Sequence, residues 1–367
     1  MEISKIKNHM KHYLKLFLLA ASASNAAVAQ TTTHDVLVLL SSDAVQAAGG
    51  ESNAILWASQ EVATANQIYA NSRTGVALRV AGAVAFNPEG FDPTQMSPGQ
   101  ILESIVPAGN GSYINYPSSG VHSQLVNELR VKYGADLVSL FVSSTSNPNI
   151  YGQASDIPRD DFANDQTRIR TASYSVTVLS STARSRYTFA HEVGHCLGAG
   201  HDGVYAPNTI GWTDSARGYL IPGTVPPTMT IMHRTPPSNF VRIPFLSTAD
   251  TSIAHNGWPL GNASSNNAAA VSGSRNAINA IAVSQWFADA PISINEWRGG
   301  AYWFGWFWVG SYPYVWHQAA NRWLLATSNT ANQLWFWDYT QGAYIWTSNA
   351  YWPWVWNDSQ KLWIKLY

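Results

Sequence analysis

From residue 34 onward, short apolar runs alternate with amphipathic stretches. The run VLVLL at 36–40 is closed by Ser41, Ser42 and Asp43, which predicts a strand buried on both faces. Residues 52–71 place Ile55, Ala58, Val62 and Ala65 every three or four positions, the period of a helix with one apolar face. Residues 76–86 are rich in Val and Ala and predict the next strand, while 88–98 carry several breakers and predict a loop. Helical period returns over 121–133, with Gly134 placed for a C-terminal cap. Residues 137–142 and 173–179 predict two further strands, and 147–155 a short, glycine-interrupted edge strand between them. Ser180 or Ser181 is placed to cap a helix that runs through His191. Such alternation argues for an α/β layer on a mainly parallel sheet.

The pattern then changes twice. Residues 203–247 are rich in Pro, Gly and Thr with little period, and 268–287 predict a closing helix. Residues 289–295 read as a linker, dividing a domain at 30–288 from a tail at 296–367. Thirteen of the seventeen tryptophans lie in that tail, so it is different material. It repeats with a spacing of 40 residues: PYVW at 313–316 aligns with PWVW at 353–356, Trp323 with Trp363, and Trp306 with Trp346. Tryptophans at 335 and 337, and at 352, 354 and 356, alternate at period two, which predicts two copies of a small β unit. Most of these rings read as the core such a unit needs. Those left exposed are open to a cell-envelope or carbohydrate ligand.

At 367 residues with 46% hydrophobic content, the chain can bury two cores. A net charge of -1 offers no basic surface for nucleic acid. Lys5, Lys7, Lys11 and Lys15 precede a short apolar run at 16–23, and Ala27, Val28 and Ala29 form a small-x-small site. This predicts a signal peptide over 1–29, cleavage after Ala29 and a secreted protein, with cell-surface association left open. The apolar run is too short to span a bilayer, and no later segment predicts a transmembrane helix. Strand-like sequence begins within about ten residues of that site, which leaves no room for a prodomain. The single cysteine, Cys196, excludes an internal disulfide and reads as a small buried thiol.

The densest chemistry is the stretch HEVGHCLGAGHD at 191–202. Helix positions i and i+4 share a face, so His191 and His195 can hold one metal ion. Glu192 flanks that ion as a candidate general base. Gly198 ends the helix, since glycine takes left-handed dihedrals at little cost, and His201 returns from another direction. Three imidazoles and an open position make a catalytic zinc site, whereas a structural site would want a fourth protein ligand. His233 and His255 read as surface or loop residues. Two alternatives stand beside an enzyme: an adhesion protein on a peptidase scaffold, which has no need of Glu192, and a hydrolase of cell-wall peptides.

The stretch resembles the zinc motif of metzincin metallopeptidases. Residues 230–233, around Met232, resemble their Met-turn, about thirty residues after His201. Asp202 resembles the reprolysin, or adamalysin-like, branch. ARGY at 216–219 and RIPFLS at 242–247 are similar to bacterial reprolysin-like and peptidyl-Asp metallopeptidases. The resemblance covers roughly residues 34–287 and says nothing of the tail. It implies an α/β fold with a twisted mixed sheet, an active-site helix and an irregular C-terminal subdomain, here followed by the small all-β tail. An edge strand containing Gly152, Gln153 and Ala154 would pair with extended peptide. Met232 would support the site from beneath, and Asp202 would brace it. Arg234 and Arg242 would wall the pocket after the scissile bond and favour an acidic side chain there. Arg234 stands where astacins and serralysins carry a tyrosine, which leaves three protein ligands. The implied activity is zinc-dependent endopeptidase cleavage of proteins or peptides, with one Zn2+ activating water and Glu192 moving the proton. Nothing in the sequence indicates calcium.

Overall fold

The computed structural model describes residues 31–110, 115–116, 118–155, 163–202, 211–234 and 239–367. The predicted signal segment lies outside the described residues. Thr32–Tyr367 form one compact unit.

Its centre is a five-stranded sheet of β1 (Thr32–Ser41), β2 (Val76–Phe86), β3 (Leu137–Val142), β4 (Gly152–Ala154) and β5 (Tyr174–Val178), in the order β2-β1-β3-β5-β4. The first four run parallel, and β4 is the antiparallel edge strand, with Gly152 opposite Thr177 and Ala154 opposite Ser175. The helices are α1 (Ser42–Ala48), α2 (Glu51–Asn71), α3 (Pro98–Ile105), α4 (Ser123–Tyr133), α5 (Gln166–Thr171), α6 (Ser181–Ser185), α7 (Thr188–Cys196) and α8 (Asn267–Asn279). Side chains of β1 alternate between two core layers. Val36, Val38 and Leu40 pack with residues of α2, α7 and α8, while Leu37 and Leu39 face the layer of α3 and α4.

Three elements differ from the sequence expectation. Part of 88–98 belongs to α3, whose entry is a capping box between Ser97 and Gln100 with Pro98 in the first turn. Ser180 caps α6 and not the histidine helix. The histidine helix α7 starts afresh after Tyr187, which sits at φ 56°. The last helix stops at Asn279, because Trp286 and Phe287 beyond it leave the helical path and plug the second core layer.

The tail is an eight-stranded antiparallel meander in chain order. Its strands are β6 (Trp297–Arg298), β7 (Phe307–Trp308), β8 (Tyr314–His317), β9 (Arg322–Ala326), β10 (Gln333–Asp338), β11 (Ala343–Ser348), β12 (Trp354–Asn357) and β13 (Leu362–Lys365). Phe307, Val315, Leu324, Phe336, Ile345 and Val355 point inward and are buried, leaving the alternate aromatic rings on the outer face. His317, Asp338 and Asn357 close β8, β10 and β12. Each is fully buried and accepts a turn N–H, from Ala320, Thr340 and Ser359 respectively. The 40-residue spacing therefore spans two hairpins of one kind. Trp308, and not Trp306, matches Trp346: Trp308 pairs with Trp316 as Trp346 pairs with Trp356.

The inward rings join the second core layer of the sheet. Phe287 packs edge-on against Tyr133 of α4 and against Tyr312, and Trp286 stacks on Phe307 at 5.1 Å between centroids. Asp289 pairs with Arg79, the Asn295 amide donates to Glu51, and the Arg298 guanidinium donates to the Ala81 carbonyl of β2. Residues 289–298 are thus fastened along the sheet.

Candidate metal centre and cleft

All nine residues of α7 are buried, and one helical turn sets His191 and His195 side by side. Each imidazole is oriented through Nδ1, whose N–H donates to a backbone carbonyl: Ile231 at 2.8 Å for His191 and Ala199 at 3.0 Å for His195. That assignment leaves both Nε2 atoms as bare acceptors, and each lies 3.0 Å from Nε2 of His201. Burial, followed by the charge of His195, holds His191 and His201 well below the ordinary histidine pKa, so they are neutral. Lone pairs converging at this distance repel one another unless a cation lies among them. Tetrahedral zinc with bonds of about 2.0–2.1 Å would separate its nitrogens by about 3.3 Å, so the triad fits that ion with a small adjustment. Among the described residues, it is the group of side chains that could hold a metal.

The chain reversal after α7 delivers His201. Gly198 adopts φ 94°, and the Ala199 amide closes the turn on the Gly194 carbonyl at 2.8 Å. Asn267 of α8, fully buried, then clamps Gly200: its Oδ1 accepts the Gly200 N–H at 2.8 Å and its Nδ2 donates to the Gly200 carbonyl at 3.0 Å. Met232 is fully buried beneath the triad. A Cβ at Gly194 would lie 3.0 Å from its Sδ, so the glycine between the two histidines lets the methionine approach. The segment carrying Met232 is tied at both ends, by the Ile231 carbonyl to His191 and by the Arg234 amide to Asp202 at 2.6 Å. His233 lies in a loop and is buried, with Nδ1 3.8 Å from Asp202.

Beside the triad lies a cleft of about 350 Å³. One wall is β4 with the residues before it. A Cβ at Gly152 would fall 2.6 Å from Cγ of Glu192 and 2.7 Å from its Oε1, so only glycine lets the strand cross over that carboxylate. Arg186, Arg234 and Arg242 also line the cleft. Arg242 donates to the carbonyls of Arg186 at 3.1 Å and His233 at 2.8 Å, while its buried Nε has no partner among the described residues. Burial, and then the neighbouring charge of Arg186, pushes its pKa down to about 10. Arg186 lies over the Tyr151 ring at 5.0 Å.

Residues 30–219 match the family described as Reprolysin_5, Metallo-peptidase family M12. The chain belongs to that family. It is also 28% identical over 245 residues to the peptidyl-Asp metalloendopeptidase of Xanthomonas campestris pv. campestris, covering 66% of this chain and 50% of that protein. The chain thus spans about half the length of this curated relative. Among solved structures it is similar to a chain of "Structure of a chaperone-substrate complex", with TM-score 0.49 and 18% identity over 69% of this chain and 36% of that one. A second is the crystal structure of metalloproteinase-II from Bacteroides fragilis, with TM-score 0.31 and 14% identity over 51% and 48%.

M12 metallopeptidases use zinc, and this M12 chain brings His191, His195, His201, Glu192, Gly152, Gln153, Ala154, Arg234 and Arg242 to one cleft. Gly198, Asp202 and Met232 stand behind it. Arg186 and Asn267 were not found from sequence. Only the three-dimensional path carries each of them to the site.

Proposed function

We propose that this chain is a secreted zinc endopeptidase of metzincin type that cuts extended peptides before an acidic residue. The observation that carries the reading is three imidazole Nε2 atoms converging beside Glu192, under a strand that is the edge of its sheet among the described residues. Zinc bound there would supply Lewis acidity and lower the pKa of water to about 7. Glu192 takes the proton of the attacking water and delivers it to the leaving amine. Strand β4 binds the peptide main chain by strand addition and sets the scissile bond in register, which favours extended peptide over a branched cell-wall substrate. Met232 fits the Met-turn role, holding the histidine helix from below. Export rests on the segment at 1–29.

The acidic preference rests on Arg242. Its guanidinium is largely desolvated, held by two carbonyls, and lines the cleft with no ion pair among the described residues, the Glu192 carboxylate being its charged neighbour. A substrate carboxylate would complete it. The name of the Xanthomonas relative, peptidyl-Asp, points the same way. Digestion of a mixed peptide library by the zinc-loaded protein, with and without chelator, tests both parts. Chelator-sensitive cuts before Asp or Glu are expected. Absence of cleavage by zinc-loaded protein removes the endopeptidase reading. Cuts without acidic preference remove only the arginine assignment. For Arg242→Gln, kcat/KM on an acidic peptide should fall about 10- to 100-fold, with little change on its amide counterpart.

Gly152→Ala should also be costly. Its methyl group would displace the Glu192 carboxylate, and a shift of about 1 Å at a reacting group costs roughly 10²-fold. Steady-state kinetics beside thermal melting should show the rate fall with little loss of stability.

A further inference from the structure

The outer face of the tail carries two tryptophan ladders, each directly cross-strand paired. Trp297, Trp308, Trp316 and Trp323 form the first, and Trp335, Trp346, Trp356 and Trp363 the second. They differ in the turn after the second tryptophan, which has seven residues between Trp308 and Trp316 and nine between Trp346 and Trp356. In the second ladder Tyr351 lies on the rings of Trp346 and Trp363, at 5.8 and 4.9 Å between centroids. The equivalent turn of the first ladder has Ser311: Tyr314 donates to the Ser311 carbonyl as Trp354 donates to that of Tyr351. Beside that turn the first ladder instead forms an open depression of about 200 Å³, lined by its four tryptophans.

The walls decide the ligand class. Indole offers ring faces and one N–H donor, and no acceptor. That of Trp308 is already spent on the Asn295 carbonyl at 2.6 Å. Glu296, next to Trp297 in sequence, is paired with Lys132. A sugar or a lysine ammonium laid on these rings would find no acceptor among them and would keep its O–H or N–H donors turned to solvent. A quaternary ammonium has no N–H to satisfy. Its positive charge complements the negative ring faces, and tryptophan is the strongest such partner. Steep angles of 66° between Trp316 and Trp323, and 74° between Trp308 and Trp323, set the rings as walls and not as one flat platform.

We propose that this four-tryptophan depression binds a choline-type trimethylammonium group. The site is separate from the metal centre and does not depend on the peptidase reading. The test is titration of the full chain, followed by tryptophan fluorescence and calorimetry, with choline, with its uncharged carbon isostere 3,3-dimethylbutanol, and with cellobiose. Flotation with phosphatidylcholine and phosphatidylglycerol vesicles runs beside it. Choline should bind at least about tenfold more tightly than the isostere. Flotation with phosphatidylcholine alone would assign the source as a lipid headgroup, and binding of choline without flotation would assign a soluble one. Ser311→Tyr, which installs the plug the second ladder already accommodates, should abolish choline binding and leave peptide cleavage unchanged. Equal affinity for the isostere, binding of cellobiose but not choline, or choline binding undiminished in Ser311→Tyr each overturns the proposal. So does no response to choline, as when a second copy of the chain covers this face.

Discussion

Glu192→Gln is expected to lower kcat/KM by about 10²–10⁴-fold while leaving the zinc content of the protein unchanged. The three nitrogens that converge for the metal belong to His191, His195 and His201, so the carboxylate is dispensable for holding it. Glutamine keeps the volume of the side chain and cannot accept the water proton. Glu192→Asp should be crippled as well. It retracts the carboxylate by one methylene from the proton it must take. Metal analysis of the purified variants beside progress curves on one peptide separates loss of chemistry from loss of zinc. A glutamine variant retaining a tenth of wild-type activity would remove Glu192 from the proton-transfer role. If the wild-type protein holds zinc and cuts nothing, the adhesion reading moves ahead.

What could be seen in the sequence depended on how local each feature is. The strand at 76–86 was legible from its Val and Ala content, and the helix ending at Asn71 because a single period of 3.6 runs through it. The metal triad was legible because its members and the turn-forming Gly198 lie within eleven residues. Capping chemistry was present but assigned to the wrong neighbour: Ser180 does cap a helix, the short α6, while α7 begins without a side-chain cap. At α3, Pro98, one of the residues that read as breakers, occupies the first turn, where a missing N–H costs nothing. Residues 280–287 continue an apolar pattern, but tertiary packing takes Trp286 and Phe287 out of the helix. Arg186 and Asn267 reach the site from separate segments, and no spacing rule connects them to it. In the tail, alternation disclosed the strands, whereas the equivalence of Trp308 with Trp346 needed the hairpin register.

A chain ending at residue 288 should fail to fold into an active enzyme, because the tail shares the core of the sheet. Trp286 and Phe287 are 4% and 0% exposed, and the rings around Trp286 beyond Phe287 are tail residues Phe304, Phe307 and Phe336. Removing the tail bares both residues together with the adjoining face of Tyr133. Each large apolar side chain returned to water costs about 1.5–3 kcal/mol. Three such losses approach the whole stability of a domain, about 5–15 kcal/mol. The Ala81 carbonyl would also lose the Arg298 guanidinium, itself buried between the rings of Tyr133 and Phe287 at 5.5 and 5.3 Å. Phe287→Ala in the full chain is the milder form of the same test. It should cost about 3–5 kcal/mol and lower the midpoint of one cooperative transition, since both parts lean on this ring. Calorimetry reads the outcome directly. Two separate transitions, or a soluble chain of residues 30–288 that cuts peptide at the full-length rate, would make the tail an independent module. A single shifted transition makes the tryptophan-rich sheet a structural wall of the peptidase, so that a ligand held on its outer face would be held rigidly with respect to the cleft.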